Sequence, residues 1–343
     1  MRKTLLSAAA VLSALLVLSL MFVIPSGAVT EEAQTRYMDA LWDEEEWDGE
    51  DWDSEAALPA HSALRASAVF SDILPAANVG ALPRDLFAPG STPVAENFTE
   101  NGYRDDTIIV EMEQKRMFDS DVYVAYVKIA TPSQLRTAVA GKKMGASSTN
   151  HTTTICKNYN GLVAINGDYY TKTKGGYIVR MGQTYREKTS KNMDLLLIDE
   201  LGDFHILLRG HDNQKEELAV FSSEHEIVNG FFFGPGLVKD GEILEIPENY
   251  QFDPNQKNPR AGIAQLGDLT YALVVVNGRS SESKGVTLEE FAQVMAELGA
   301  QQAYNLDGGN SATLAFNGEV YNDKPQAERS VTDIIYFASA IGE

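Results

Sequence analysis

The sequence predicts an α+β fold: mixed β-sheets with flanking helices, and a C-terminal βαβ unit followed by a hairpin. Three observations carry this. Short runs rich in Val, Ile, Leu and Tyr recur from residue 107 onward, separated by Gly, Asp and Asn turns. The apolar run Tyr271–Val276 leads into a capped amphipathic helix and then a second apolar run, Gln302–Leu306. Strand, helix, strand implies two strands pointing the same way with a right-handed crossover. Finally, 44% of the 343 residues are apolar, enough for a full core.

The N-terminal third reads differently. Arg2 and Lys3 precede an apolar run from Leu5 to Ile24, and Ser26-Gly27-Ala28 supplies small residues where a signal peptidase could cut. Residues 1–28 are therefore expected to be a signal peptide or an N-terminal membrane anchor, the run being about as long as a bilayer span. The expected location is extracellular or on the outer face of the cytoplasmic membrane, with membrane contact through this segment alone. Residues 29–97 read as a largely disordered linker. Its first part sets Trp42, Trp47 and Trp52 five apart among acids, with twelve carboxylates and one Arg between residues 31 and 55. Five is neither helical nor strand spacing, so no buried face follows. The part from Ala56 to Asn97 is rich in Ala and Pro, as a spacer would be. The net charge of −21 argues against nucleic acid or anionic lipid as partners, because both need a basic face.

The folded domain is expected over 98–343. Thr107–Met112, Val122–Ile129, Gly161–Asn166, Asp194–Asp199 and Phe204–Leu208 read as strands. Thr131-Pro132-Ser133-Gln134 has the residues of a helix start with reciprocal capping. Phe231–Val238 and Glu242–Ile246 flank the hairpin signal Lys239-Asp240-Gly241. Thr287-Leu288-Glu289-Glu290 is a capping box opening a helix whose Phe291, Val294, Met295 and Leu298 share one side, and Gly299 ends it. Asn317-Gly318 joins Ser311–Phe316 to Glu319–Tyr321 as a hairpin. A single cysteine, Cys156, leaves no internal disulfide and reads as a buried structural thiol.

Two turns at strand ends carry chemistry. In Asn305-Leu306-Asp307-Gly308-Gly309-Asn310-Ser311 a carboxylate leaves an apolar run and meets two glycines. Such a turn either caps itself or brings backbone and Asp307 close to a ligand. Asn166-Gly167-Asp168-Tyr169-Tyr170 repeats the logic, with tyrosines suited to stacking on a sugar. Asp168 and Asp307 are thus the candidate catalytic carboxylates, the minimum for acid–base or nucleophilic work on a glycosidic bond. Arg260, Arg279 and Arg329 sit beside strands in an acidic protein, and Arg forks suit phosphate. The five histidines show no zinc-binding spacing, and neither a nucleophile elbow nor a phosphate loop is present. The sequence requires no cofactor. Its Asp, Asn and backbone oxygens would suit a calcium ion, but the twelve-residue EF-hand pattern is absent.

These motifs resemble the phosphodiester glycosidase family, whose bacterial members are often described as exopolysaccharide-associated. The family's NLDGGGSAT is similar to NLDGGNSAT here, matching Asn305, Asp307, Gly308, Gly309, Ser311, Ala312 and Thr313, with Asn310 in place of a glycine. Its VNAGFF resembles AINGDYY, matching Asn166, with Tyr169 and Tyr170 for the phenylalanines; Asp168 has no counterpart. Arg260 matches the Arg of an Arg-Thr-Ala-Ile-Gly segment, and Arg329 a late Arg before a Val-rich strand. A family Asp-Gly becomes Asn277-Gly278. The resemblance implies hydrolysis of a sugar-1-phosphodiester in a glycan or sugar-phosphate substrate. Asp307 would act at the anomeric carbon with Asp168 as partner acid or base. Arg260 and Arg329 would hold phosphate, Asn166 and Ser311 sugar hydroxyls, and the Gly308 and Gly309 amides would line the pocket; Asn277, Arg279 and Asn305 complete the expected substrate-binding set. The alternatives are a non-catalytic cell-envelope glycan-binding module, favoured by Asn277, or an exopolysaccharide assembly factor.

Overall fold

The computed structural model describes residues 80–145, 147–209 and 214–341. The expected signal or anchor, the acidic Trp segment and the linker up to residue 79 lie outside them. Among the described residues no helix is long and apolar enough to cross a membrane.

Among the described residues, three sheets and three short α-helices make up the domain. The first sheet begins with β1 (Phe98–Thr99), β2 (Gly102–Arg104), β3 (Ile108–Met117) and β4 (Ser120–Ile129). The third contains β5 (Leu135–Val139) and β6 (Val163–Asn166), with α1 (Thr152–Asn158) between them in the chain. The second is built from β7 (Gly176–Arg180), β8 (Gln183–Lys188), β9 (Leu195–Asp199), β10 (Phe204–Leu207) and β11 (Ile227–Phe231), with α2 (Gln214–Glu224) before β11. The chain then returns to the first sheet through β12 (Gly236–Lys239), β13 (Glu242–Ile243), β14 (Arg260–Gly267) and β15 (Thr270–Val276). Helix α3 (Leu288–Glu297) crosses to β16 (Gln302–Leu306), and β17 (Leu314–Phe316), β18 (Glu319–Val320) and β19 (Asp333–Phe337) complete the third sheet.

The first sheet has the order β1-β2-β3-β4-β15-β14-β16-β12-β13, the second β10-β9-β11-β7-β8 and the third β18-β17-β6-β19-β5. The α+β class holds. The expectation of mixed sheets does not, because each of these strand pairings is antiparallel. Strands β15 and β16 do run the same way, but β14 lies between them, antiparallel to both. The unit is a split crossover. Its consequence for the site survives: the C-terminal ends of β15 and β16 and the start of β14 share one sheet edge.

The all-apolar β15 is explained by burial on both faces. Tyr271, Leu273 and Val275 pack with the core shared with the other two sheets, while Ala272, Val274 and Val276 pack under α3. The helix opens as expected, with the Thr287 hydroxyl accepting from Glu290 N at 3.1 Å and the Glu290 carboxylate accepting from Thr287 N at 2.9 Å. The same capping pattern at Thr131 yields only one 3-10 turn, Pro132–Gln134, because the next five residues are taken by β5 in its ladder with β19. The expected strand Phe231–Val238 is broken into β11 and β12 by Gly234-Pro235, since Pro cannot donate to a ladder.

Residues 80–97, assigned above to the linker, pack onto the domain. The fully buried Arg136 guanidinium donates to the Pro83, Asp85 and Ala88 carbonyls, and Gly90 N donates to Tyr159 O. Burial pushes the Cys156 thiol up to about 12, and it donates to Gly161 O: a structural thiol, as read.

Candidate active site

Asp307 leaves β16 at the shared edge, directly opposite the end of β6. Two contacts lock these ends together. Asn166 Nδ2 donates to Asp307 O at 2.6 Å, and Asp307 N donates to Gly167 O at 3.3 Å. The other end of the Asn166 amide accepts from Thr313 N at 3.1 Å, so this buried side chain clamps both sides of the loop. The glycine at 308 is required by packing, because a Cβ there would stand 2.7 Å from the Pro259 carbonyl oxygen. Gly309 N donates to that same carbonyl at 2.8 Å, so its amide is used inside the protein and does not line a pocket as expected.

The Asp307 carboxylate is half-buried, and its pKa rises to about 6. Burial is the main cause, and the nearby Asp168 charge adds to it; the Ser311 hydroxyl and the Arg329 cation pull the other way. Arg329 is exposed. One of its nitrogens donates to Ser311 Oγ at 3.2 Å, and its guanidinium lies 5.4 Å from the centre of the Tyr169 ring. Tyr169 adopts φ of 60°, a costly left-handed conformation for an aromatic residue that gathers at functional sites. Asp307, Ser311, Arg329 and Tyr169 therefore form one cluster: a carboxylate poised near neutrality, a hydroxyl, a cation and an aromatic ring.

Other expected site residues have different work. Asp168 is fully buried, with Oδ1 on Arg180 at 2.6 Å and Oδ2 accepting from Phe232 N at 2.8 Å. Both oxygens are committed inside the protein, so Asp168 does not serve as a substrate-facing acid or base. It acts on Asp307 through its charge. Arg260 is also corrected. Its buried guanidinium donates to the Val286, Phe252, Asp253 and Gln256 carbonyls, bracing the 252–256 loop rather than gripping phosphate. Burial lowers it to about 10, with Asp253 opposing and Arg279 adding to the drop.

Asn277 is buried and anchors the segment after the β17–β18 hairpin. It donates to Asp323 O and accepts from Asn322 Nδ2 at 2.9 Å. An Asp at this position could accept but not donate. Asn305 is buried too, donating to Gly234 O at 2.7 Å. Arg279 is exposed at the rim, held by Asn258 Oδ1 at 2.8 Å and Asn310 Oδ1 at 3.2 Å. It borders the cluster through Asn310 and Gly309.

Three residues escaped sequence reading. Arg180 is fully buried between Asp168 and Asp333, with 2.6 and 3.0 Å contacts to the two carboxylates. Burial raises the Asp333 pKa, Asp168 adds to this, and Arg180 opposes it. Of the two acids, Asp168 is the one whose charge reaches Asp307. The signal was a charged residue inside each of two apolar runs, GGYIVR and TDIIYF, since buried charges need partners. Lys324 is the third: its ammonium donates to Asn310 O, Ala312 O and Thr313 Oγ1 at 2.9 to 3.1 Å, fixing the loop that carries Ser311. A cavity of about 680 Å³ lies elsewhere, beside Asp194, Arg209 and Tyr250. Both Asp194 oxygens are already satisfied there by Arg209 and Gly236 N.

The fold and the site define an antiparallel α+β domain with a tuned carboxylate at a sheet edge. A phosphodiester glycosidase family model matches residues 159–338, more than half of the chain, and the protein belongs to that family. The catalytic domain of zebrafish N-acetylglucosamine-1-phosphodiester α-N-acetylglucosaminidase, solved in a form auto-inhibited by its pro-peptide, shares the fold. Its TM-score is 0.54 at 16% identity, covering 73% of this chain and 87% of that one. An uncharacterised SPbeta prophage-derived protein of Bacillus subtilis, YomE, is 35% identical over 108 residues, which is 31% of this chain and 17% of YomE. The chain thus spans under a fifth of that relative's length.

Proposed function

We propose that this protein is an extracytoplasmic hydrolase of sugar-1-phosphodiester linkages in cell-envelope or exopolysaccharide glycans. Family membership supports the reaction class. The observation that carries it is the half-buried Asp307, with its pKa near 6, beside the exposed Arg329 cation and the Ser311 hydroxyl. A group titrating near the working pH is suited to moving protons.

In this reading Arg329 holds the phosphate and Tyr169 offers a face to the sugar. Water attacks the anomeric carbon and gives its proton to ionised Asp307. The bond from that carbon to the phosphate oxygen breaks, its electrons leave on the phosphate, and the products are a free sugar and a phosphate monoester. Phosphate is a fair leaving group, so no second acid is needed, which fits the internal engagement of Asp168.

The base must be ionised, so kcat/KM is expected to hold level above pH 7 and fall about tenfold per unit as pH drops below about 6. A pH–rate profile with an acid limb elsewhere, or a loss on the alkaline side of 6, contradicts the base role. Arg329→Gln is expected to raise KM roughly tenfold or more, the scale of a hydrogen bond to a charged group, with a smaller effect on kcat. Initial rates across substrate concentration read this directly. The family Asp replaced by Asn277 favours a second reading, a glycan-binding module without turnover. A panel of α-linked sugar-1-phosphodiesters separates the two: release of reducing sugar supports the enzyme, and binding without release supports the module.

A further inference from the structure

A group of side chains on the far side of the domain has no part in this chemistry. Ala261 of β14 pairs with Leu306, next to Asp307, while Gln265, four residues further along β14, donates to Asp203 Oδ1. At 3.4 Å per residue that separates the two regions by about 14 Å. Beside Asp203, the end of β9, the start of β10 and the residue after α2 bring Asp199, Glu200, His205 and His225 together.

Each ligand-type atom is held facing one point. Asp199 Oδ1 accepts from Leu201 N and Asp203 N, both at 2.9 Å, which turns Oδ2 toward His225. Glu200 Oε2 accepts from Glu226 N at 2.8 Å, which leaves Oε1 facing the same place. His225 Nδ1 is buried and makes no hydrogen bond, lying 3.7 Å from Asp199 Oδ2 and 3.8 Å from Glu200 Oε1. The Phe221 ring stacks on His225 at 4.8 Å and leans on His205 at 4.6 Å, fixing both imidazoles. His205 Nε2 contacts the same Asp199 oxygen at 2.9 Å.

From this geometry we propose that Asp199, Glu200 and His225 form a three-ligand site for a divalent cation of the zinc type, with solvent as the fourth ligand. Bond lengths near 2.1 Å put neighbouring tetrahedral ligands roughly 3.4 Å apart, so the 3.7 and 3.8 Å separations from His225 Nδ1 to the two carboxylates need to contract by only a few tenths of an ångström. The mixed nitrogen and oxygen donors suit zinc better than calcium or magnesium, which prefer oxygen alone. Backbone donors on the outer carboxylate oxygens are the kind of support that orients metal ligands. Glu200, His205 and His225 are each about one-third exposed, so an ion can enter from solvent. Bound there, it ties α2 to the β9–β10 turn and stabilises the second sheet.

The test is titration of the EDTA-treated, dialysed protein with zinc chloride, followed by calorimetry and thermal melting. One equivalent is expected to bind, with Tm raised by about 5 °C or more at zinc a hundredfold above Kd. His225→Gln and Glu200→Gln should each weaken binding at least tenfold while leaving the Asp307 chemistry unchanged. Cobalt should show the absorption of a tetrahedral site in the parent protein and lose it in both variants. Absence of saturable zinc binding, calcium binding in preference to zinc, or equal zinc affinity in parent and variants overturns the proposal.

Discussion

Asp307→Asn is expected to lose activity on the order of a hundredfold or more while gaining thermal stability at neutral pH. The activity loss follows from removing the proton acceptor. The stability gain follows from linkage. Folding raises the Asp307 pKa from 3.8 to about 6, so the folded protein binds this proton more tightly than the unfolded chain does. That contribution is complete below the unfolded pKa and is lost as pH rises through the folded one. Above pH 6 the native state therefore carries an ionised carboxylate in an unfavourable place, at a cost of about 1–3 kcal/mol after allowance for partial exposure. Asn cannot ionise and keeps the contact with Ser311. The melting temperatures of parent and variant should converge near pH 4 and separate by a few degrees at pH 7.5. A variant that loses both activity and stability at pH 7.5 would point to a structural role instead.

Arg180→Met is expected to be the most damaging single change away from the cluster. The guanidinium is fully buried, ion-paired to Asp168 and Asp333, bonded to the Val179 and Gly230 carbonyls, and stacked on Phe231 at 4.1 Å. Without it two adjacent carboxylates remain in the core. Breaking a buried pair of this kind costs about 3–5 kcal/mol. Lone carboxylates escape part of that cost by binding protons, so the deficit should grow as pH rises from 5 to 8. Urea midpoints of parent and variant at the two pH values measure it, and Arg180→Lys, which keeps the charge but not the fork, should fall between them. A loss under about 1 kcal/mol at pH 8 would mean that Asp168 and Asp333 are held by other means.

The site was legible in the sequence where its logic is local. The capping box at Thr287, the all-apolar run Tyr271–Val276 and the Asp-Gly-Gly turn after Leu306 are each written within a few residues, and together they put Asp307 at a sheet edge. Asp168 was misread because its environment is not local. The pairing of Ile334 with Asn166 brings Asp333 beside the β6 end, and Arg180 arrives from a different sheet. The AINGDYY turn alone looks identical whether its carboxylate faces substrate or core. Arg260 and Asn277 were read as ligand-facing for a similar reason: a strand-end position says which edge a residue occupies, and only the loops folding over that edge decide what it bonds. In the third sheet β6 pairs with β17 and β19, and β19 with β5, all across long stretches of sequence; β14 forms a local hairpin with β15 but also inserts between β15 and β16, two strands that read as adjacent.

In the proposed reaction Asp307 drives water onto the anomeric carbon and phosphate leaves intact. Turnover of a sugar-1-phosphodiester in oxygen-18 water, with mass analysis of both products, tests it most directly. Label is expected in the sugar's anomeric hydroxyl, none in the phosphate monoester, and at least a hundredfold less labelled product with Asp307→Asn. Label in the phosphate, or turnover undiminished in the variant, would contradict it.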